Sequence, residues 1–175
     1  MAGVVHFKAI RPGKMHDAEF RRLARNAMRR VSSGMLKDFE STTETWDTKP
    51  EFKEHTSVDS REEFIAAEVS TSNPIWIMLN NGTRPHEIWA GWYTGTSEHK
   101  TLAFPSMFQP KTTPKVLGSS DGASGGDTVF TPYVQHPGTE ARQWTKVIAD
   151  KWRSRMKAEA LEALRQFRRL SGRGL

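Results

Sequence analysis

The chain has 175 residues, a formal net charge of +6 and no cysteine. This length suits one domain with a hydrophobic core. The lack of cysteine excludes disulfides, thiolate metal ligands and a cysteine nucleophile. No apolar run approaches the roughly 18 residues of a membrane helix, so the sequence predicts no membrane contact.

Charge is unevenly distributed along the chain. Residues 1–40 carry nine Lys/Arg and four Asp/Glu, whereas residues 41–72 carry three and eight. Residues 139–175 are basic again, with ten Lys/Arg against four Asp/Glu. Basic ends around an acidic middle indicate either a surface for nucleic acid or opposite patches that meet between neighbouring subunits.

The N-terminal part is predicted to be an extended segment followed by a basic helix. Residues 1–14 form a short strand or an arm that lies on another molecule. The helix starts near Asp17, and Ser32-Ser33-Gly34 weakens or ends it. Four arginines lie opposite its apolar face. They form either a solvated side of the helix or a surface that faces DNA or an acidic neighbour. They are Arg21, Arg22, Arg25 and Arg29.

The middle of the chain is predicted to be mainly strands. Asn73-Pro74 indicates one or two helical turns over residues 75–79, because proline suits a first helical position. The Gly- and Ser-rich residues 111–128 are predicted as a long mobile loop. Strands are predicted over five segments rich in β-forming residues: 42–58, 64–71, 87–90, 101–107 and 129–135.

A long C-terminal helix is predicted to start at Thr139, a good N-cap with Glu140 in the first turn, and to run towards residue 168. Its first half has an apolar stripe: Ala141, Trp144, Ile148 and Trp152. In its second half, three apolar residues point to another side: Leu161, Leu164 and Phe167. This second stripe predicts contact with a neighbouring subunit or, alternatively, a bent or frayed helix end.

The sequence carries no signature of catalysis or of a cofactor. His86-Glu87 does not continue into the H-E-x-x-H zinc motif, and no G-x-S-x-G elbow or Walker loop is present. The basic helices are the only indication of nucleic-acid binding. We therefore expect no enzyme activity, no bound metal and no cofactor.

Two short turn motifs stand about fifty residues apart. The first is Asn80-Asn81-Gly82-Thr83-Arg84-Pro85-His86, and the second is His136-Pro137-Gly138-Thr139-Glu140-Ala141-Arg142. The apolar run Leu102-Ala103-Phe104-Pro105 lies between them. Because Gly and Asn-Gly chiefly serve backbone geometry, we interpret both motifs as fold determinants rather than as binding sites.

In this order and spacing, the motifs resemble the tail-completion or head–tail joining family of long-tailed double-stranded DNA phages, which are neck or minor tail-component proteins. The resemblance covers roughly residues 15–160. The basic N-terminal helix, the run from Trp46 to Pro50 and the Gly/Ser loop also fit the family. The sequence departs from it at Gln143-Trp144 and at Asn80-Asn81.

The resemblance implies an α+β fold, in which a long N-terminal and a long C-terminal helix pack on an antiparallel β-sheet, with a long flexible Gly/Ser loop. We expect an N-terminal arm over residues 1–14, one domain over residues 15–170 and a flexible tail over residues 171–175. The implied assembly is a ring of identical subunits, six in number, without enzyme activity. In such a ring, acidic residues 44–68 would meet a neighbour's basic helix.

The resemblance also implies a location and partners. The ring would lie in the virion neck at the top of the tail, and in the host cytoplasm during assembly. It would contact the head connector or stopper and the tail terminator or tail-tube proteins. Double-stranded DNA would pass through its lumen without sequence readout.

Two alternatives stay open at this point. Tail-terminator and head-closure proteins share much of the implied architecture. A monomeric basic DNA- or RNA-binding protein would instead bind in a salt-sensitive way and lose binding when Arg21, Arg25 and Arg29 become glutamate.

Overall fold

The computed structural model describes residues 3–10, of which it gives the backbone, and residues 18–58, 64–90 and 101–171. Helices and antiparallel strands alternate along these parts of the chain, which confirms the α+β class. The helices are α1 (Ala18–Ser41), α2 (Pro74–Asn81) and α3 (Trp144–Leu170). The strands are β1 (Gly3–Ile10), β2 (Lys53–Val58), β3 (Phe64–Thr71), β4 (His86–Trp89), β5 (Leu102–Gln109), β6 (Ala123–Thr131) and β7 (Tyr133–His136).

A three-stranded antiparallel sheet, in the order β1-β3-β2, forms the base of the core. β1 pairs with β3 along its whole length, from Gly3 opposite Thr71 to Ile10 opposite Phe64. Of the two predictions for the N-terminal segment, a strand or an arm, the strand is therefore confirmed over residues 3–10, which complete the sheet, while residues 11–14 lie outside the described residues. The central strand β3, predicted from its apolar composition, is confirmed and is buried along most of its length.

Helix α1 continues through Ser32-Ser33-Gly34, so the prediction that it ends there is wrong. The Ser32 hydroxyl donates to the Arg29 carbonyl (3.0 Å), which satisfies this polar group inside the helix. Gly34 faces the ring of Trp152 on α3 so closely that a Cβ atom would overlap it. The glycine therefore permits close packing of two helices rather than marking a helix end.

One continuous apolar stripe of α3 packs against α1. It comprises Trp144, Ile148, Trp152, Met156, Ala163 and Phe167. The prediction of a second stripe is wrong for Phe167, because Met156 and Ala163 carry the first stripe through to this residue, whose ring contacts Phe20 of α1 edge-on at 5.4 Å. Leu161 lies outside this stripe and is 44% exposed, and Leu164 is half-buried.

An aromatic cluster ties α2 to the core. Trp76 lies between Phe39 and Trp144, with ring centroids at 5.3 and 5.4 Å. Its indole N–H donates to the hydroxyl of Thr42 (2.9 Å), which itself donates to the carbonyl of Phe39. Because Thr42 and Thr43 close the end of α1, the predicted strand over residues 42–58 is confirmed only over β2. The helical turns predicted after Asn73-Pro74 are confirmed as α2.

The remaining strands form two antiparallel pairs, β4 with β7 and β5 with β6, which we call the arch. The single strand predicted over residues 129–135 is wrong, because it breaks at Pro132 into β6 and β7, which have different partners. Proline has no N–H for a ladder, and its carbonyl accepts from Ala90 N–H (2.9 Å) at this break. The intervening residues 91–100 lie outside the described residues.

The prediction of a loop over residues 111–128 is confirmed for residues 111–122 and wrong for residues 123–128. Residues 123–128 belong to β6 and pair with β5. The segment before them is fixed by hydrogen bonds, from Ser120 N–H to the Lys111 carbonyl (2.7 Å) and from Lys115 N–H to the Arg142 carbonyl (2.8 Å). The indole N–H of Trp144 donates to the Val116 carbonyl (3.1 Å). Residues 111–120 are therefore bonded to the start of α3.

Helix α3 ends at Leu170, and Ser171 caps it through a hydrogen bond to the Phe167 carbonyl. The expected tail beyond it, residues 172–175, lies outside the described residues. Within the part of the chain that the structure describes, no helix is long and apolar enough to cross a bilayer.

Candidate functional site

The two turn motifs lie side by side and form one joint at the base of the arch. Thr83 and Thr139 exchange backbone hydrogen bonds, with N···O distances of 2.9 and 3.1 Å. The Thr83 hydroxyl also accepts from Thr139 N–H (3.0 Å). Three residues away in each motif, His86 pairs with His136 at the start of the β4–β7 pair. The fold thus brings together two segments that stand about fifty residues apart in the sequence.

Two glycines make this joint possible. Gly82 has a φ of +75° and Gly138 a φ of +88°, a region that other residues rarely adopt. A Cβ atom at Gly82 would come within 2.7 Å of the Thr139 carbonyl, and one at Gly138 within 2.9 Å of the Arg84 carbonyl carbon. These contacts support the interpretation of both glycines as fold determinants.

The two histidines hold the turns of their own motifs. His86 Nδ1 donates to the Arg84 carbonyl (2.8 Å), and Gly138 N–H donates to His136 Nδ1 (3.0 Å). Their rings lie against each other with centroids 5.0 Å apart. Among the residues that the structure describes, no three His, Asp or Glu side chains converge in a way that could hold a metal ion. Arg84 and Pro85, which precede His86 in the first motif, are exposed.

The predicted start of α3 at Thr139 is wrong, because Thr139 is occupied in the joint and the helix begins at Trp144. Its N-terminus is capped by Asn80 of the first motif, whose side-chain oxygen accepts from Thr145 N–H (3.0 Å). The Asn80 carbonyl accepts from Gln143 N–H (3.0 Å). Asn80 is buried and fixes α3 relative to α2. The sequence around Thr139 does not indicate that a residue so distant in the chain caps this helix.

An open groove of about 670 Å³ lies between the arch and the core. Its lining comes from the start of the second motif, from α2, from the end of β5 and from the residues after α1. His136 at the base of β7 and Phe108 near the end of β5 both line it, so both strand pairs of the arch contribute to the groove. Apolar walls are formed by Trp46, Ile75, Leu79, Phe108 and Pro110.

One buried charge lies in this groove. Arg142 closes the second motif and is only 6% exposed. Its Nε donates to the Thr112 hydroxyl (3.0 Å), and a terminal N–H donates to the Glu140 backbone carbonyl (3.3 Å). Neither acceptor is charged, and Arg142 makes no ion pair with any carboxylate of the described residues. The sequence motif contained this arginine, but nothing in it indicated burial.

The arch exposes large apolar side chains that the core does not cover. Phe130 is 69% exposed, Phe108 72% and Trp89 51%. Trp89 stacks on Tyr133 across the β4–β7 pair, with centroids 4.9 Å apart. None of the four arch strands contains Lys or Arg. Monomeric proteins rarely expose contiguous apolar patches above a few hundred Å², so this surface is a candidate interface.

The predicted basic stripe lies on α1, on the side away from the core. Arg25 and Arg29 are exposed, and Arg21 is half-buried. Arg22 forms an exposed ion pair with Glu19 (2.6 Å), and this hydrogen bond raises the pKa of the Arg22 guanidinium. Nearby, Arg30 pairs with Glu159 of α3 (2.8 Å). Part of the basic surface is therefore engaged with the chain's own carboxylates.

Comparison of the chain with models of protein families, with curated proteins and with solved structures finds no match in any of the three.

Proposed function

We propose that this chain is a structural subunit of the neck of a long-tailed phage, where a ring of copies completes the tail and joins it to the head connector. The family resemblance of the two turn motifs is the starting point. The observation that carries the proposal furthest is their direct pairing, through Thr83 and Thr139, at the base of an arch that exposes apolar side chains.

A subunit of a ring needs a rigid body and surfaces that its own core leaves uncovered. The packing of α1 and α3 on the β1-β3-β2 sheet provides the rigid body. The arch provides apolar surface without the lysines that commonly protect strand edges in monomeric proteins. Leu161 adds an exposed apolar side chain on the outer side of α3.

Charge supports the same arrangement. Residues 40–54 carry five acidic and two basic side chains, a net charge of −3 (2 − 5). Helix α3 carries eight basic and three acidic residues, a net charge of +5 (8 − 3). Opposite net charges on two surfaces of one chain favour the approach of copies to each other, beside the apolar contact of the arch. The remaining basic residues suit a lumen through which DNA passes without sequence readout.

The proposal predicts a defined phenotype in a phage that lacks this gene. DNA-filled heads and separate tails should accumulate, and adding the purified chain to that lysate should join them into infectious particles. Electron microscopy and plaque assays measure both effects. Normal virions without the chain, or a block in DNA packaging or in tail-tube growth, would contradict the joining role.

A second candidate function is binding of DNA or RNA by a monomer. The exposed side chains of Arg25 and Arg29 on α1 favour it, because phosphate contacts need accessible cations. This candidate predicts a monomer whose affinity for duplex DNA falls steeply with salt. Arg25→Glu together with Arg29→Glu should then abolish binding, whereas under the neck proposal DNA binding by the single chain is weak from the start.

A further inference from the structure

Among the described residues, the positive charge of Arg142 in the groove under the arch has no counter-ion. Arg142 is only 6% exposed. Its two hydrogen-bond acceptors are neutral oxygens, those of the Thr112 hydroxyl and of the Glu140 backbone carbonyl. Burial removes most of the water that solvates a guanidinium, and neutral oxygens replace only part of that solvation. A carboxylate that enters the groove would supply the missing interaction. Arginine suits the binding of a carboxylate because its guanidinium carries a planar set of donors.

Two carboxylates, those of Asp47 and Glu140, already line the groove, but neither forms an ion pair with Arg142. Asp47 lies 3.6 Å from Lys111, in an exposed ion pair. Glu140 contributes its backbone carbonyl to Arg142, while the residue itself is exposed. Because five apolar side chains also line the groove, it fits a segment that carries one carboxylate beside large apolar side chains.

The arch itself presents such a segment. Asp127 is the only charged residue of β5 and β6, and it is exposed. It makes no ion pair with any of the described residues. Val129 and the strongly exposed Phe130 follow it on the same strand. An isolated acidic side chain next to apolar ones on a projecting strand is the chemical complement of the groove.

Within one chain, this segment lies away from the groove. Phe108, which lines the groove, pairs with Ser124 of β6. At about 3.3 Å per residue, Asp127 lies about 10 Å and Phe130 about 20 Å further along the strand. Asp127 and Arg142 form no ion pair with each other within the described chain, so the segment is open to the groove of another molecule.

We propose that β6 of one copy docks in the groove of the next, so that Asp127 pairs with the neighbour's Arg142 and Phe130 packs on its apolar walls. The contact joins two different surfaces of the same chain, which is the head-to-tail type that generates rings. This inference deepens the proposed neck function, because it assigns the subunit contact of the ring.

The first experiment measures self-association of the full-length chain by sedimentation velocity over a range of concentrations. Asp127→Asn removes the charge from an exposed position, so the fold should remain intact. We expect association to weaken about tenfold or more, because the neighbour's Arg142 loses its counter-ion. The matched control is Asp121→Asn, the same change at an exposed residue outside the arch strands, which should leave association within about twofold. Equal effects of the two variants, or a wild-type chain that stays monomeric at every concentration, would overturn the inference.

The second experiment locates the contact. A benzophenone amino acid replaces Phe130, and isotope-labelled and unlabelled chains are mixed, so that links between copies are recognised by mass. We expect links to residues 46–48 and to α2 of the other copy, since both line the groove. Links that fall mainly on the outer side of α3 would overturn the inference.

The two proposals fail in different ways. If copies associate through Asp127 and Arg142 but the gene is not needed to join heads and tails, the docking contact stands and the neck function falls. If heads and tails are joined equally well by Asp127→Asn and by the wild type, the neck function stands and the docking contact falls.

Discussion

The core and the arch use the same kinds of apolar residue in opposite ways. In the core, Phe39, Trp76 and Trp144 stack on one another and are fully buried. In the arch, Phe108 and Phe130 are mostly exposed. Two-stranded ribbons are at best marginally stable alone, and this one is fixed by the motif joint at one end and by residues 111–120 at the other. The difference separates residues that make the fold from residues that are available to a partner.

The largest expected effect on this comparison comes from matched aromatic truncations. Trp76→Ala should lower the free energy of unfolding by about 3–5 kcal/mol, because it leaves a cavity and removes the partner of Thr42. Phe130→Ala should change it by less than about 0.5 kcal/mol. Chemical denaturation measures both. A large loss of stability for Phe130→Ala would show that the arch belongs to the folding core.

The second comparison places the same substitution in both regions. Gly34→Ala should destabilise the chain by about 1–3 kcal/mol, since the new methyl group overlaps the Trp152 ring and outweighs the better helix propensity of alanine. Gly125→Ala in β6 meets open space, so its effect should be neutral or slightly stabilising. Thermal unfolding of the two variants checks this. Equal shifts of the melting temperature would contradict the packing described for α1 and α3.

Sequence patterns predicted the elements whose signals are local. β3, α2 and β5 were expected from β-forming composition or from Asn73-Pro74, and all three are present. The apolar stripe of α3 was recognised only in its first half, because Ala163 is too small to stand out in a pattern of large residues.

Other features depend on contacts between distant segments and have no local signal in the sequence. Thr139 has the composition of an N-cap, but its pairing with Thr83 prevents that role, and Asn80 caps α3 instead. Gly34 is indistinguishable in sequence from a helix breaker, although it accommodates Trp152. For the candidate site, the two motifs are recognisable in the sequence, but the burial of Arg142 and the groove result from contacts between segments that lie far apart in the sequence.

A smaller effect is expected where the two regions meet. Asn80→Ala should cost about 1–2 kcal/mol, because Thr145 N–H loses its cap. Hydrogen exchange should accelerate at the first turn of α3, while the β1-β3-β2 sheet stays protected. Asn26→Ala, the same change within α1, caps no helix and serves as the control. Uniform acceleration across the chain would show that Asn80 supports the whole core rather than this junction.

The smallest effect is expected on the basic side of α1. Arg25→Ala and Arg29→Ala should each change stability by less than about 0.5 kcal/mol, because both side chains are exposed. Under the ring account, neither change should reduce self-association as strongly as Asp127→Asn. Sedimentation velocity of the three variants in parallel gives the ranking. A reversed ranking would assign the subunit contact to α1 instead of the arch.

Contact between copies through the arch is tested most directly by the solution mass of the wild-type chain and of Phe130→Asp, measured by light scattering after size exclusion. Leu170→Asp, at an exposed position on α3, is the control. We expect a ring-sized wild-type species, the same mass for Leu170→Asp, and a folded monomer for Phe130→Asp with an unchanged circular dichroism spectrum. A wild-type monomer at all concentrations, or an unchanged ring in Phe130→Asp, would contradict the claim that the arch joins copies of this chain.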